Sequence, residues 1–259
     1  MSGVNSWPRA NYWTLTRALA WYDFKLRFHG SVLGILWSFL RPLLLFGVLY
    51  LVFSIFIRFD ISNYAFYLLL GIILWNFFVE ATNSSLTSID NKTALLKKVP
   101  FPRTIIVLSA VITTFISLFF NLIVFFLFFA FSDLGLGVSS LLLVIYLISF
   151  FFIALGTSFG LTALYAKFKD IRTIWEVLLQ LGLWLTPIIY TLSIVPQRFH
   201  WWIYLNPLTR VIQYSREAVI EGRVSNLDGI FALLLMTGAT FALGYFVFRR
   251  RAPYFAEEL

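Results

Sequence analysis

The stretch Thr104 to Phe131, TIIVLSAVITTFISLFFNLIVFFLFFAF, runs for 28 residues without an Asp, Glu, Lys or Arg. Hydrocarbon about 30 Å thick needs about 20 apolar residues in helix, because each residue rises about 1.5 Å. The run is therefore long enough to cross a bilayer. It crosses as a helix, since a barrel strand would alternate apolar and polar positions. Five further runs read the same way: Val32 to Ile57, Tyr64 to Asn83, Ser139 to Tyr165, Ile174 to Leu192 and Gly229 to Phe248, with ends placed to within several residues. Composition agrees, because 60% hydrophobic residues, 12% charged residues and a mean hydropathy of +0.86 leave too little polar surface to cover a globule in water. The expected fold class is an all-α integral membrane protein with six transmembrane helices. Three segments are expected: an amphipathic interfacial piece over residues 1–30, one transmembrane domain over 31–250, and a tail over 251–259.

Six crossings place successive loops on alternate sides. One side then holds Arg9, Arg17, Lys25, Arg27, Arg41, Lys92, Lys97, Lys98, Arg103, Lys167, Lys169, Arg172, Arg249, Arg250 and Arg251, and the other Arg58, Arg198, Arg210, Arg216 and Arg223. Fifteen against five, out of 20 Lys and Arg, predicts both termini in the cytoplasm. The net charge of +8 reads as this orientation signal plus attraction to anionic headgroups, and not as a nucleic-acid footprint. The absence of Cys removes disulfides, thiolate catalysis and Cys-based metal sites. With only His29 and His200, expected on opposite sides, no metal site is expected. A cleavable signal peptide is not expected either, because residues 1–30 mix charges with aromatics and lack a short apolar core followed by small residues.

Between the spans lie three informative pieces. Asn11 to Phe28 reads as a helix with Leu15, Leu19, Tyr22 and Leu26 on one stripe, and Trp7, Trp13 and Trp21 suit the headgroup zone. It serves as an interfacial anchor, compatible with bracing a cytoplasmic partner. Ser84 to Arg103 carries Leu86, Ile89, Leu95 and Leu96 on one face of a short helix, ended by Pro100 and Pro102. It is either an ordinary basic connector or a docking surface, and its length speaks for the second. Ser193 to Asp228 is rich in aromatics, and Val211 to Glu221 forms a short amphipathic helix, so the segment is expected to dip into the outer interface as a re-entrant hairpin or to lie flat there as an aromatic belt. Glu80, and the group Lys167, Lys169, Asp170, Arg172 and Glu176, read as interfacial anchors or local ion pairs near helix ends.

Catalytic chemistry is hard to find. No P-loop pattern occurs, so the chain has no such cradle for a nucleotide triphosphate. Clusters of intramembrane His, Asp or Glu, which an enzyme acting inside the bilayer would show, are nearly absent from the spans. Aromatic mass is abundant instead, at 20% of residues. Trp37, Tyr50, Trp75, Phe77, Trp184 and Tyr190 either face lipid and pack in the bundle or line a pathway on whose ring faces sugars stack. Arg41 is an interfacial anchor or a contact for a phosphate. Pro187 kinks the fifth span, as packing alone or as the bend where an outer channel half begins.

Three motifs then meet a family. Ser31-Val32-Leu33-Gly34-Ile35-Leu36-Trp37-Ser38-Phe39-Leu40-Arg41-Pro42 follows the first helix, Phe168-Lys169-Asp170-Ile171-Arg172 precedes Gln180 and Trp184-Leu185-Thr186-Pro187-Ile188-Ile189-Tyr190, and Leu205-Asn206-Pro207-Leu208 lies outside. Together they resemble the permease subunits of ABC-2 type exporters, in the branch that moves O-antigen, capsular polysaccharide and teichoic acid out of bacteria. The resemblance runs from about residue 10 to 250. It implies a homodimeric permease in the bacterial inner membrane, paired with two copies of a separate ABC ATPase that binds ATP and Mg, so that this chain is no enzyme and binds no cofactor. It also implies that Leu86, Ile89, Leu95, Leu96 and Lys97 belong to a cytoplasmic coupling helix seated in the ATPase, beside the N-terminal interface helix. The first, second and fifth spans would line a channel for a lipid-linked polymer. A small-molecule, drug or lipid exporter of the same superfamily is the alternative.

Overall fold

A computed structural model describes residues 10–28, 34, 36–56, 63–93 and 101–252. The elements in order are α1 (Ala10–Phe28), α2 (Leu36–Tyr50) continued by a π turn (Leu51–Phe56), α3 (Tyr64–Leu86), the short α4 (Ser88–Asn91), α5 (Thr104–Ala130), α6 (Leu142–Lys167), α7 (Ile171–Leu185), α8 (His200–Tyr204), α9 (Pro207–Val219) and α10 (Leu227–Arg251). No strand occurs among the described residues. Among the described residues, four helices are long and apolar enough to cross a membrane: α3, α5, α6 with its preceding turn, and α10.

The other two expected spans differ from expectation. The first divides into α2 and the π turn. The fifth, expected to run to Leu192, ends at Leu185 after 15 residues, about 22 Å of helix against the roughly 30 Å of hydrocarbon. Proline is the reason. Pro187 has no N–H to continue the ladder and pushes the residue before it out of the helical region; Thr186 accordingly sits at ψ 129°. Pro187 thus follows a helix end and does not kink a continuing span.

α3 is the axis of the bundle, with 72% of its most apolar stretch buried against the protein, compared with 17% for α10. It packs on α2, α5, α6, α7 and α9. Aromatic edges fill its flanks: Phe77 meets Phe115 and Phe150, and Phe66 meets Phe129. Hydroxyls tie the helices across apolar surface, with Thr162 Oγ1 donating to Ser85 O (3.0 Å) and Trp175 Nε1 to Thr82 Oγ1 (3.0 Å). Lipid offers no hydrophobic drive between helices, so such bonds and close backbone approach hold the bundle.

The closest approach is α6 against α10. A Cβ added to Gly156 would lie 2.6 Å from Phe241 Cα and 2.6 Å from Thr240 O, and one added to Gly244 would collide with the Gly156 carbonyl. Gly160, one turn on from Gly156, also faces Gly244. Small residues four apart let two helix backbones touch.

α1 lies against α5, burying Thr16, Ala20 and Phe24. Thr113 Oγ1 donates to Ala20 O at 3.0 Å, and Phe24 stacks on Phe120. The expected stripe is not the one seated on the chain: Tyr22 and Leu26 stay exposed beside Trp13 and Trp21. The packed face combines the small Thr16 and Ala20, which let the two helices approach, with the Phe24 ring, while Trp13, Trp21, Tyr22 and Leu26 are left for the interface.

Substituting Gly156→Leu should lower stability by about 1–3 kcal/mol through overpacking, read as a drop in the thermal unfolding temperature of the purified protein. Gly238→Ala, in open space on α10, should leave it unchanged or slightly raised.

Candidate functional site

Two features stand out inside the bundle: the break after α7 and a polar cavity. At the break, Thr186 to Tyr190 leaves the helix while Thr186, Pro187, Ile188 and Ile189 are fully enclosed. Non-helical backbone at such depth survives only where protein satisfies it. Ile188 N donates to Thr186 O at 2.7 Å, and side chains supply the bonds to the next four carbonyls. Arg216 donates from Nη1 to Pro187 O (2.7 Å), from Nη2 to Ile188 O (2.7 Å) and from Nε to Tyr67 O (3.0 Å). Gln213 Nε2 also donates to Pro187 O, at 3.2 Å. The Tyr64 hydroxyl donates to Ile189 O at 2.8 Å, and Tyr67 reaches Tyr190 O at 3.5 Å. Four consecutive carbonyls are thus held by donors from α3 and α9.

Arg216 is 0% exposed, and its guanidinium lies 3.4 Å from the centre of the Tyr67 ring. Among the described residues no carboxylate forms an ion pair with it; carbonyl dipoles and the ring face balance the charge. Its room is made by Gly71 on α3, where a Cβ would collide with Nη2. Sequence reasoning counted Arg216 among the outer loop cations and missed this role. The available signal was its place on the apolar face of the Val211 to Glu221 helix.

That helix, α9, begins where Asn206 caps it by accepting from Leu208 N (3.0 Å), with Pro207 in its first turn. Asn206 Nδ2 also donates to Thr186 Oγ1 at 3.1 Å, joining the Leu205-Asn206-Pro207-Leu208 motif to the break. Arg210 holds the end of α8 by donating to Tyr204 O (2.7 Å), and within α9 it donates to the Tyr214 hydroxyl (2.8 Å). At the exposed end of this segment, the hydrogen bond from Arg223 to Glu221 holds the guanidinium above its ordinary pKa.

The cavity, about 820 Å³, lies among α1, α2, α3 and α5. Trp37, Asn76, Phe77, Glu80, Asn83, Ser117 and Asn121 contribute to its walls. A smaller cavity of about 200 Å³ is lined by Trp75, Leu179 and Gly182. The expected pathway aromatics therefore do not form one surface. Trp75 and Phe77 are buried core residues, while Trp37 and Trp184 are 39% and 60% exposed. Tyr50 stacks between Phe46 and Tyr64. Tyr190 donates to Trp184 O at 2.9 Å across the break. Arg41 lies within α2, and Pro42 is buried against the larger cavity.

The expected coupling residues divide as well. Leu86 and Ile89 are buried within the chain at 1% and 3% exposure, so their apolar surface is used up inside the bundle and is not available for docking. Leu95, Leu96 and Lys97 lie outside the described residues. The end of α4 is tied in two directions: Lys92 pairs with Asp23 of α1 and reaches Ser109 Oγ (3.2 Å), and Asp90 accepts from Lys169 Nζ (2.9 Å) ahead of α7. Arg27 of α1 pairs with Glu80 of α3, and Arg172 with Glu176 one turn on. Among the described residues no three His, Asp or Glu side chains come together as a metal site would need.

Replacing Arg216 with Lys keeps the charge but loses the fork, and each lost bond to a charged donor is worth about 1.5–3 kcal/mol. Arg216→Lys should thus lower the unfolding temperature sharply and expose residues 186–200 to limited proteolysis. Intact protein under both assays would overturn the bracing role.

The ABC-2 type transporter family matches residues 14–220. Among curated proteins, the O-antigen export system permease protein RfbA of Klebsiella pneumoniae is 30% identical over 245 residues, covering 92% of each chain. Its namesake in Myxococcus xanthus is 28% identical and covers 96% of each chain. The polysialic acid transport protein KpsM of Escherichia coli is 23% identical, covering 90% of this chain and 92% of its own. With four-fifths of its length matched by one family and near full-length relatives at this identity, the chain belongs to the ABC-2 type transporters.

Proposed function

We propose that this chain is the permease subunit of an ATP-driven exporter that moves lipid-linked polysaccharide across the bacterial cytoplasmic membrane. The observation that carries the reading is the near full-length similarity to permeases named for O-antigen export. The absence of a P-loop supports it, because hydrolysis then falls to a separate ABC ATPase carrying ATP and Mg. The surplus of basic residues on one set of loops supports six crossings with both termini in the cytoplasm. In that count α2 with its π turn and α7 with its break are the first and fifth crossings.

The exposed apolar faces of α2 and α7 support a homodimer. Val48 on α2, Leu51 and Ile55 on its π turn, and Ile174, Leu178, Leu181, Trp184 and Leu185 on α7, stay uncovered within one chain. A second copy facing them encloses a passage walled by rings such as Trp37 and Trp184, on which sugar C–H faces slide without strong polar holds. Two ATPase copies then dock below, on the segment that includes Leu95, Leu96 and Lys97. Closure of the ATPases displaces this segment, and the Lys92–Asp23 and Lys169–Asp90 pairs pass the displacement to α1 and to the start of α7. The Asp23 and Lys92 side chains are 24% and 14% exposed, sheltered enough to hold better than a surface pair.

Coexpression with an ABC ATPase tests the assignment: the two should copurify, and hydrolysis should respond to the permease. Leu95→Asp with Leu96→Asp should leave insertion intact while uncoupling hydrolysis from export; export at the normal rate would remove the docking role. Trp184→Ala, which deletes a mostly exposed ring, should cut polysaccharide export severalfold at unchanged unfolding temperature. Unchanged polymer export together with altered efflux of small amphiphiles would favour the drug or lipid exporter instead.

A further inference from the structure

Apart from Trp37 at its mouth, the larger cavity carries chemistry that the export reading does not use. Arg27 and Glu80 are the only charged residues of its described lining, and they pair with each other, so the described lining is neutral. Its remaining polar groups include asparagine carbonyls with no donor among the described residues. Asn121 spends its Nδ2 on Ser117 O (2.9 Å), which leaves its carbonyl. Asn83 Oδ1 is buried without a partner, and Asn76, midway along α3, makes no hydrogen bond to a described residue. Polar groups at such depth are costly and mark places where something polar is received.

Facing these groups is an apolar wall of Trp37, Leu45, Ile73, Phe77 and Leu118. The cavity is only partly enclosed, and Trp37 and Leu45 stay 39% and 37% exposed. Along the axis of α3, Glu80 stands about 9 Å and Asn76 about 15 Å from the helix end at Leu86, at about 1.5 Å per residue. The polar groups therefore sit between headgroup level and the upper part of the chains. A volume of about 820 Å³ falls within the roughly 300–1,000 Å³ usual for ligand pockets.

We propose that this cavity holds the headgroup of a zwitterionic aminophospholipid. Its ammonium donates to Glu80 and to the asparagine carbonyls, its phosphate faces Arg27, and part of an acyl chain lies on the apolar wall. A multiply anionic diphosphate headgroup is disfavoured, since among the described lining residues it would face the Glu80 carboxylate with one cation that is already engaged. A choline headgroup matches the charge but has no N–H to donate. The site depends on the membrane setting of the chain and not on its cargo, so its loss would leave the export reading standing.

Full-length protein, delipidated in detergent and offered phosphatidylethanolamine, phosphatidylcholine, phosphatidylglycerol or undecaprenyl phosphate, gives the test by native mass spectrometry. Phosphatidylethanolamine should be retained over phosphatidylcholine by about fivefold, the ratio expected of one net hydrogen bond. Asn76→Leu should abolish that preference, and Asn76→Asp, which keeps an acceptor in the same volume, should preserve it. Equal retention of all four lipids, preference for either anionic lipid, or a preference unaffected by Asn76→Leu would each overturn the proposal. Should Asn76→Leu fail to fold, the ratio in the native chain and in Asn76→Asp decides.

Discussion

A peptide carbonyl inside a membrane protein cannot turn to water when its helical partner is missing. Everything distinctive in this fold follows from how that constraint is met where α7 stops. Thr186 to Tyr190 leaves the helix because proline at 187 ends the ladder, and the freed carbonyls would be prohibitive in hydrocarbon. The bundle brings donors to them: Arg216 and Gln213 from α9, and Tyr64 and Tyr67 from α3. The hairpin of α8 and α9 therefore folds back into the protein, because the break needs what α9 carries.

The rest of the architecture uses weaker forces over larger areas. α6 and α10 are joined by backbone contact at Gly156 and Gly244, α3 and α6 by hydroxyl bonds, and α1 by small residues against α5. Ion pairs gather toward the end of the bundle where α1, the loops following α3 and the start of α7 meet. There water is near enough to make charge tolerable, and cross-links between elements can pass on a push.

Element by element, what the sequence made legible was what depends on composition along one helix. The apolar runs of α3, α5, α6 and α10 stand where hydropathy puts them, and the amphipathic pattern of Val211 to Glu221 marks the short helix, which begins four residues earlier at Pro207 behind its Asn206 cap. The end of α7 was misjudged because apolar residues continue past it to Leu192; Pro187 was visible, but a proline in an apolar run is compatible with either a kink or a stop. Arg216 reads as an orientation signal because it is a cation in an outer segment; its place on the apolar face of its helix hints at burial, but the carbonyls it serves lie on another element. The aromatic residues chosen as one pathway scattered between core and surface, since helix rotation is set by packing and not by residue type. The larger cavity depends on the mutual placement of α1, α2, α3 and α5, which no single-helix pattern encodes.

Gly71 and Arg216 occupy a single volume from two helices far apart in the chain. A side chain at 71 displaces the guanidinium, and a smaller residue at 216 leaves a void at 71 with carbonyls unserved. Neither position drifts alone without penalty, so over long divergence the two are expected to vary jointly, as a linked pair whose trace in related chains would mark the contact between α3 and α9.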